Sequence, residues 1–389
     1  PHYNKVILHV VLTADPLAPL ARTASRRSIP LLVLHPFLDE KFQSAWISAL
    51  AAEQLGSDHS IPCAALNEDV PAKVILHWLE RLGTECIELK VRRCEERLKQ
   101  LVDESRHVVR EPYPRYYGNP SEIPHPKNEY SKKHFADRNL WEQLLYEGIM
   151  EGMGYSKNTK PFLELARSMR LTILRRHSLD DTQTAMALLF GAAGLLPSTK
   201  DAQDRESRAY VLKLKKSWKQ HHPAFNGKIL NQADWLFFRL RPSYFPTARL
   251  AAMSFLLPQL FGDESFRTLM KLFKDQSLSS KNRMAELHSL FSFQPDEFWQ
   301  HHFHFKGKAR KDSATKTKDD ENESSSGKTG IALGTARIND ILINTIVPVA
   351  LLYARVFKDP AVGKTSRSFL SSLPPSQANS VTEIVQNQL

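Results

Sequence analysis

The spacing of apolar residues changes period near residue 37 and divides the chain there. Val6–Leu12 (VILHVVL) and Pro30–Leu34 (PLLVL) are short, β-branched apolar runs, the pattern of buried strands. The segment between them, TADPLAPLARTASRRSI, fits a hairpin connection or an irregular loop. Two strands do not make an independent sheet, so they are expected to form one edge of a larger β-containing unit. From Phe37 the period is helical, and residues 37–54 read as a first helix. Pro71–Glu104 carries Ile75, Trp78, Leu79, Leu82, Cys86, Ile87, Leu89, Leu98 and Leu101 as a 3.6-residue stripe. Glu85, Glu88, Arg92 and Lys99 fall largely opposite, and Asp69 ahead of Pro71 is a helix-start arrangement. Further helices are predicted at Leu140–Met153, Thr159–Met169, Leu179–Ala193, Asp201–His221, Thr247–Leu260, Glu264–Lys274 and Lys281–Phe291. They show no fixed repeat period, which argues against a solenoid.

Three stretches depart from this pattern. Ser105–Ala136 is a Pro-rich excursion in which Tyr113, Tyr116, Tyr117 and Tyr130 interleave with Arg110, Arg115 and Lys127. Such interleaving suits stacking of single-stranded bases, and it equally suits a loop pinned to the body by its tyrosines. Lys306–Gly330 is basic, then acidic, then Ser-rich, without a large apolar residue, and is expected to be a linker or mobile loop. In Ile338–Phe357 the apolar core, Ile341–Ala354, is short for a membrane span and is interrupted by Asn344 and Pro348. The expectation is a buried helix with a proline bend, and no membrane span. The last stretch, Ser366–Leu389, reads as one or two weak helices.

The predicted organisation is a β-containing segment at 1–60 and a helical domain at 61–305 with an insertion at about 105–136. A linker follows at 306–330, and C-terminal helices at 331–389 pack back on the helical domain. The fold class is mainly α with a small β-containing N-terminal part, α+β taken together.

Composition narrows the function classes. Hydrophobic residues make up 42% of the 389, which excludes a globally disordered chain. The formal charge of +11 admits polyanions as partners: nucleic acid, an anionic surface or an acidic protein. Cys63, Cys86 and Cys94 form no C-x-x-C pair, so a zinc ribbon is unsupported. Sparse cysteine fits a reducing compartment, and Cys86 and Cys94 are expected to be buried hydrophobes. The opening PHYNKVILHVV has no signal-peptide pattern, so a cytoplasmic location is expected.

Most motif matches fail on spacing. SSSGKTG (Ser324–Gly330) has Asn322 where a phosphate loop needs glycine, and no strand precedes it. In HHFHF, His301, His302 and His304 are too close to chelate from one helix face. His302 and His304 would share a face on a strand, with Asp296 and Glu297 in reach, but the ligand set is incomplete and no metal is assigned. His221–His222 ends a helix, where a cationic imidazole suits the dipole. No nucleophile elbow or paired-carboxylate signature is present, so no catalytic residue is assigned.

Two arrangements keep a functional reading. On the helix at 205–219, Arg205, Arg208, Lys215, Lys216 and Lys219 fall on one broad arc, and Val211, Leu214 and Trp218 on another. That basic face is either a phosphate-contact surface or an ordinary solvated face. In FFRLRPSYFPTARLAAM, Pro246 is suited to the first turn of a helix. Arg239 and Arg241 arrive before it and Arg249 projects from it. If they converge on the free N–H groups there, they form an anion site. If they do not, they satisfy carbonyls and pair with acids such as Asp234 while the surrounding aromatics pack the core.

RLRPSYFPTARLA resembles the Arg-x-Arg-Pro-x-x-Phe-Pro-x-x-Arg-Leu-Ala pattern of a bacterial family, domain-of-unknown-function family 2851. YNKVILHVV, Pro62-Cys63, FGAAGLLP (Phe190–Pro197) and INDILINTIVPVALLYA resemble its other segments in order. The chain departs where the family has Glu-Arg-Leu-x-x-Lys and this sequence has Glu85, Cys86, Ile87 and Lys90. The Tyr113–Tyr130 loop and the charged linker look like insertions. The resemblance implies an upstream segment, with Pro-Asp-Phe and Val-Glu-Ile-His patterns similar to PD-(D/E)XK nuclease carboxylates, and a Cys-rich tail. Both are expected to lie outside this chain, and Mg2+ is implied only for that upstream segment. The leading expectation is therefore a nucleic-acid-associated protein. The alternatives are a helical interaction or scaffold module with structural arginines, and a hydrolase of a phosphorylated substrate.

Overall fold

The computed structural model describes residues 7–14, 21–23, 26–39, 70–107, 130–177, 179–199, 202, 204–305 and 331–374. The chain divides into two units, residues 1–78 with 378–389, and residues 79–377.

In the first unit, β1 (His9–Val11) pairs with β2 (Leu31–Val33) in the register His9↔Leu31, Val10↔Leu32 and Val11↔Val33. The pairing is parallel, which corrects the hairpin alternative. Parallel strands point the same way, so the chain must cross over between them rather than turn back. The expected burial is also corrected, because Val10, Leu31 and Leu32 are exposed. Among the described residues of this unit, Thr23 and Ile29 are the buried ones. No second layer of described residues covers the two short strands, and an apolar run becomes core only when such a layer exists. Of the helix read at 37–54, residues 40–54 lie outside the described residues, and His35–Phe37 forms a 3-10 turn.

Helix α1 (Ala72–His107) is about 54 Å long at 1.5 Å per residue. Its apolar stripe is buried only towards the C-terminal end, at Val91, Leu98, Leu101 and Val102, while Leu79, Leu82 and Leu89 are exposed. Cys86 is exposed and Cys94 half-buried, against the expectation of two core thiols. Periodicity says which side of a helix can be buried, and a neighbour decides how much of it is. Here α2 (Arg138–Met153) meets that C-terminal part. Arg93 Nη2 donates to both Glu151 carboxylate oxygens at 2.7 and 2.9 Å, and Arg97 forks onto Glu147 through Nε and Nη2 at 2.7 and 2.8 Å.

The following helices are α3 (Thr159–Ser168), α4 (Leu171–Arg176), α5 (Thr182–Ala192), α6 (Arg205–His221), α7 (Pro246–Phe261), α8 (Ser265–Lys274), α9 (Ser280–Ser289) and α10 (Glu297–His301). The long ones follow the predicted spans to within a few residues. The short α4 and α10 carry too few turns to show a period. Helices α2, α5 and α7 form the centre and are buried nearly all round. Aspartates supply several N-caps: Asp137 accepts from Asn139 N at 2.9 Å and Asp181 from Thr184 N at 3.0 Å.

Helices α11 (Thr335–Ile341), α12 (Val347–Phe357) and α13 (Pro360–Ser372) return to this body, where Trp141 meets Tyr353 at 5.3 Å and Phe273 meets Phe369 at 6.0 Å. A π-helical turn, Leu342–Ile346, joins α11 to α12. Pro348 is its cause in sequence. Proline offers no N–H to the carbonyl of Asn344 and its ring crowds that carbonyl, and a widened turn relieves both problems. The run Thr335–Phe357 is long and apolar enough to cross a membrane by length and composition, and 61% of its most apolar window is buried within the protein. The linker at 306–330 and Tyr113, Tyr116 and Tyr117 lie outside the described residues.

Candidate functional site

Helix α6 is built to present one face. Asp204 caps its start, accepting from Ser207 N at 2.7 Å and Ser207 Oγ at 2.8 Å. Ser207, Val211 and Leu214 are buried on the inner side. Trp218 extends that side onto α5 at Gly191, where a Cβ would meet the indole at 2.2 Å, so only glycine admits the ring so closely. The next turn, Gly194, has φ +65° and lies against the Leu230 carbonyl, a left-handed helix end that glycine tolerates best. These two glycines give the FGAAGLLP segment its physical reason.

The outer face carries Arg205, Arg208, Lys216 and Lys219, all exposed, with Lys215 half-buried and Leu212 exposed among them. At about 100° per residue they fall along one broad side, as the sequence predicts. Among the described residues none of these five cations forms an ion pair within 4.0 Å. Arg208 donates to the Ala202 carbonyl at 3.5 Å. The contrast with α1 to α4 is sharp. There Arg93, Arg97, Arg138, Arg167, Arg170 and Arg175 are all committed to Glu151, Glu147, Glu142 or Glu104.

The Arg239, Arg241 and Arg249 set divides. Pro246 does open α7, and Arg249 turns inward to 1% exposure. Its Nη2 donates to the carbonyls of Ile331 and Ala332 at 3.0 and 3.4 Å, while Nε and Nη1 are buried without a partner among the described residues. Its neighbours come from elsewhere in the chain. The Arg337 guanidinium lies 3.6 Å from the centre of the Tyr155 ring, and Tyr155, at φ 52°, stacks on Tyr244 at 4.3 Å. Arg337 also pairs with Asp340 at 3.3 Å and leaves its Nε without a partner. Burial pushes the Arg249 pKa down, opposed by Tyr155 and Tyr244 and reinforced by Arg337. Arg239 and Arg241 are exposed. Arg239 lies over the Phe238 ring at 5.1 Å, and its carbonyl accepts from Lys157 Nζ at 3.4 Å. Asp234 is not an arginine partner; its carboxylate accepts from Asn231 N at 2.8 Å and closes a 3-10 turn. Sequence reasoning missed Arg337 and Tyr155 because nothing local links them to Arg249.

Other candidates are internally satisfied. A cleft of about 160 Å³ lies between α1, α2 and the π-turn, lined by Arg93, Arg97, Glu147, Glu151, Asn344 and Thr345 among others. Its arginines are already paired with its glutamates, leaving little excess charge for an anion. Tyr130 donates to Asp103 at 2.6 Å and stacks on Phe135 at 5.8 Å, which pins the end of the Pro-rich excursion to the body. Asp296 caps α10, accepting from Trp299 N at 3.0 Å and from Tyr210 Oη at 2.6 Å.

The model of the family described as "Protein of unknown function (DUF2851)" matches residues 1–118 and 125–379. The unmatched residues 119–124 fall inside the Pro-rich excursion, and the match runs on through the charged segment at 306–330. No curated protein and no solved structure matches the chain. With nearly its whole length inside that model, the chain belongs to the DUF2851 family.

Proposed function

We propose that the protein binds nucleic acid through the outer face of α6. The observation that carries this reading is the set of five cations on one helix side with no carboxylate partner among the described residues, while Arg93, Arg97, Arg138, Arg167, Arg170 and Arg175 are each paired with a glutamate. Cations held apart from acids keep their full charge for phosphates, and binding then gains free energy by releasing condensed counterions. The net charge of +11 adds long-range attraction of the same sign.

The test is fluorescence anisotropy with DNA and RNA of equal length at several salt concentrations. Five phosphate contacts correspond to a log–log salt slope of about −4.5 on duplex DNA. Replacing Arg205, Arg208, Lys216 and Lys219 together by Gln should make that slope shallower by about 3.6. Binding that is absent at low salt, or a slope unchanged by the four replacements, refutes the proposal.

The second reading, a helical interaction or scaffold module with structural arginines, draws on Arg249, whose Nη2 joins α7 to the Ile331 and Ala332 carbonyls. Under it, Arg249→Met lowers thermal stability and leaves nucleic-acid binding unchanged.

A further inference from the structure

We infer that Asp204, Glu206 and His302 form a binding site for one divalent transition-metal ion. This inference does not depend on nucleic-acid binding. One oxygen from each carboxylate and a ring nitrogen of His302 lie within 4.8 Å of one another. The residues come from the start of α6 and the end of α10, far apart in sequence, so no local motif announces them.

His302 supplies the decisive observation. Its ring is 2% exposed and stacks face to face on Phe298, with centroids 4.0 Å apart and planes 3° from parallel. Nδ1 lies 2.9 Å from the Phe298 carbonyl oxygen. A carbonyl only accepts, so Nδ1 carries a proton, and in the neutral ring Nε2 then holds the free lone pair. Nε2 is buried and has no hydrogen-bond partner among the described residues. A buried acceptor is rarely left unsatisfied, and this one is oriented as a ligand by a backbone carbonyl on the other nitrogen, the usual arrangement behind a metal-bound imidazole.

The geometry needs modest closure. Bonds of about 2.0–2.1 Å place tetrahedral ligands roughly 3.3 Å apart, so groups within 4.8 Å of one another must close by up to about 1.5 Å. Glu206 is exposed, and among the described residues no ion pair holds it, so its side chain can supply that movement. Asp204 is fixed by its capping bonds from Ser207 and still has lone pairs to offer. The N-terminus of α6 works against a cation with roughly half a positive charge, but two carboxylates outweigh it fourfold. One imidazole with two carboxylates suits Zn2+, Mn2+ or Fe2+ better than Mg2+ or Ca2+, which take all-oxygen sets. Three protein ligands leave a coordination position for water or another ligand.

The test is calorimetric titration of chelator-treated, desalted protein with ZnCl2, with MnCl2 and MgCl2 in parallel. One Zn2+ per chain is expected, with Mg2+ giving no saturable heat. Glu206→Gln and Asp204→Asn should each weaken Zn2+ binding by roughly 100-fold or more. Both are conservative: Asn retains the cap and Glu206 is exposed, so circular dichroism should show unchanged helix content. His301→Ala, on the exposed neighbour, should bind Zn2+ like the parent chain. The inference is overturned if no one-to-one binding is seen, if neither carboxylate variant weakens it, or if His301→Ala weakens it as much, which marks surface chelation.

Discussion

Replacing Arg97 by methionine should destabilise the helical body by about 3 kcal/mol. Glu147 has a side chain 3% exposed, and Arg97, at 12%, binds it in fork geometry through Nε at 2.7 Å and Nη2 at 2.8 Å. Burial alone disfavours the Arg97 charge, yet hydrogen bonds and attraction from Glu147 and Glu104 raise its pKa instead. Breaking a buried pair by removing one partner costs about 3–5 kcal/mol, because the other charge stays desolvated. Glu147 would keep Arg167 at 3.2 Å and Gln143 at 3.1 Å, which places the loss near the lower end of that range. Methionine retains most of the stem's packing, so the loss reports the charge. Glu147→Gln should cost less, about 2 kcal/mol, since Arg97 keeps Glu104 at 2.7 Å. Arg97→Met with Glu147→Leu should cost less than the two single changes added together. The assay is urea unfolding followed by tryptophan fluorescence and circular dichroism, arranged as a double-mutant cycle. A loss below about 1 kcal/mol for Arg97→Met, or strict additivity in the cycle, would show that solvent already screens the pair.

Three further outcomes follow from local geometry. Gly194→Ala should lower stability more than Gly191→Ala, because its Cβ meets the backbone carbonyl of Leu230 at 2.1 Å and its φ is +65°, whereas the Trp218 ring facing Gly191 can shift. About 3 kcal/mol against about 1–2 is expected in thermal melts, and the opposite ranking would contradict the packing argument. At pH 8 iodoacetamide should alkylate exposed Cys86 well before Cys94, whose thiol burial pushes up to about 11 against the attraction of Arg93; peptide mass spectrometry reads the order directly, and Cys94 reacting first would be inconsistent with this. Burial, then His221 at 4.5 Å and Arg176, hold the His177 pKa below its usual 6.5. The unfolded chain therefore binds the proton more readily, so this group's contribution to stability is lost as pH falls below about 6.5. NMR titration should show the low value and its partial recovery in His221→Ala, and a His177 pKa at or above 6.5 would refute the assignment.

The sequence by itself determined the long helices of the body, the family and the makeup of the basic helix face. These are local properties: a 3.6-residue period, a Pro246 start and the angular positions of Arg205 through Lys219 are set by residues within a few turns of one another. Tertiary structure decided what covers each face. It made β1 and β2 parallel, buried only the C-terminal part of the α1 stripe, and left Cys86 exposed. It drew Arg249 inward beside Arg337 and Tyr155 while Arg239 and Arg241 stayed on the surface. It also brought His302 to Asp204 and Glu206, although the sequence pattern ties His302 to His304. Periodicity specifies which side chains share a side of an element, but which distant segment meets that side depends on long-range packing, and that information is spread over the whole chain.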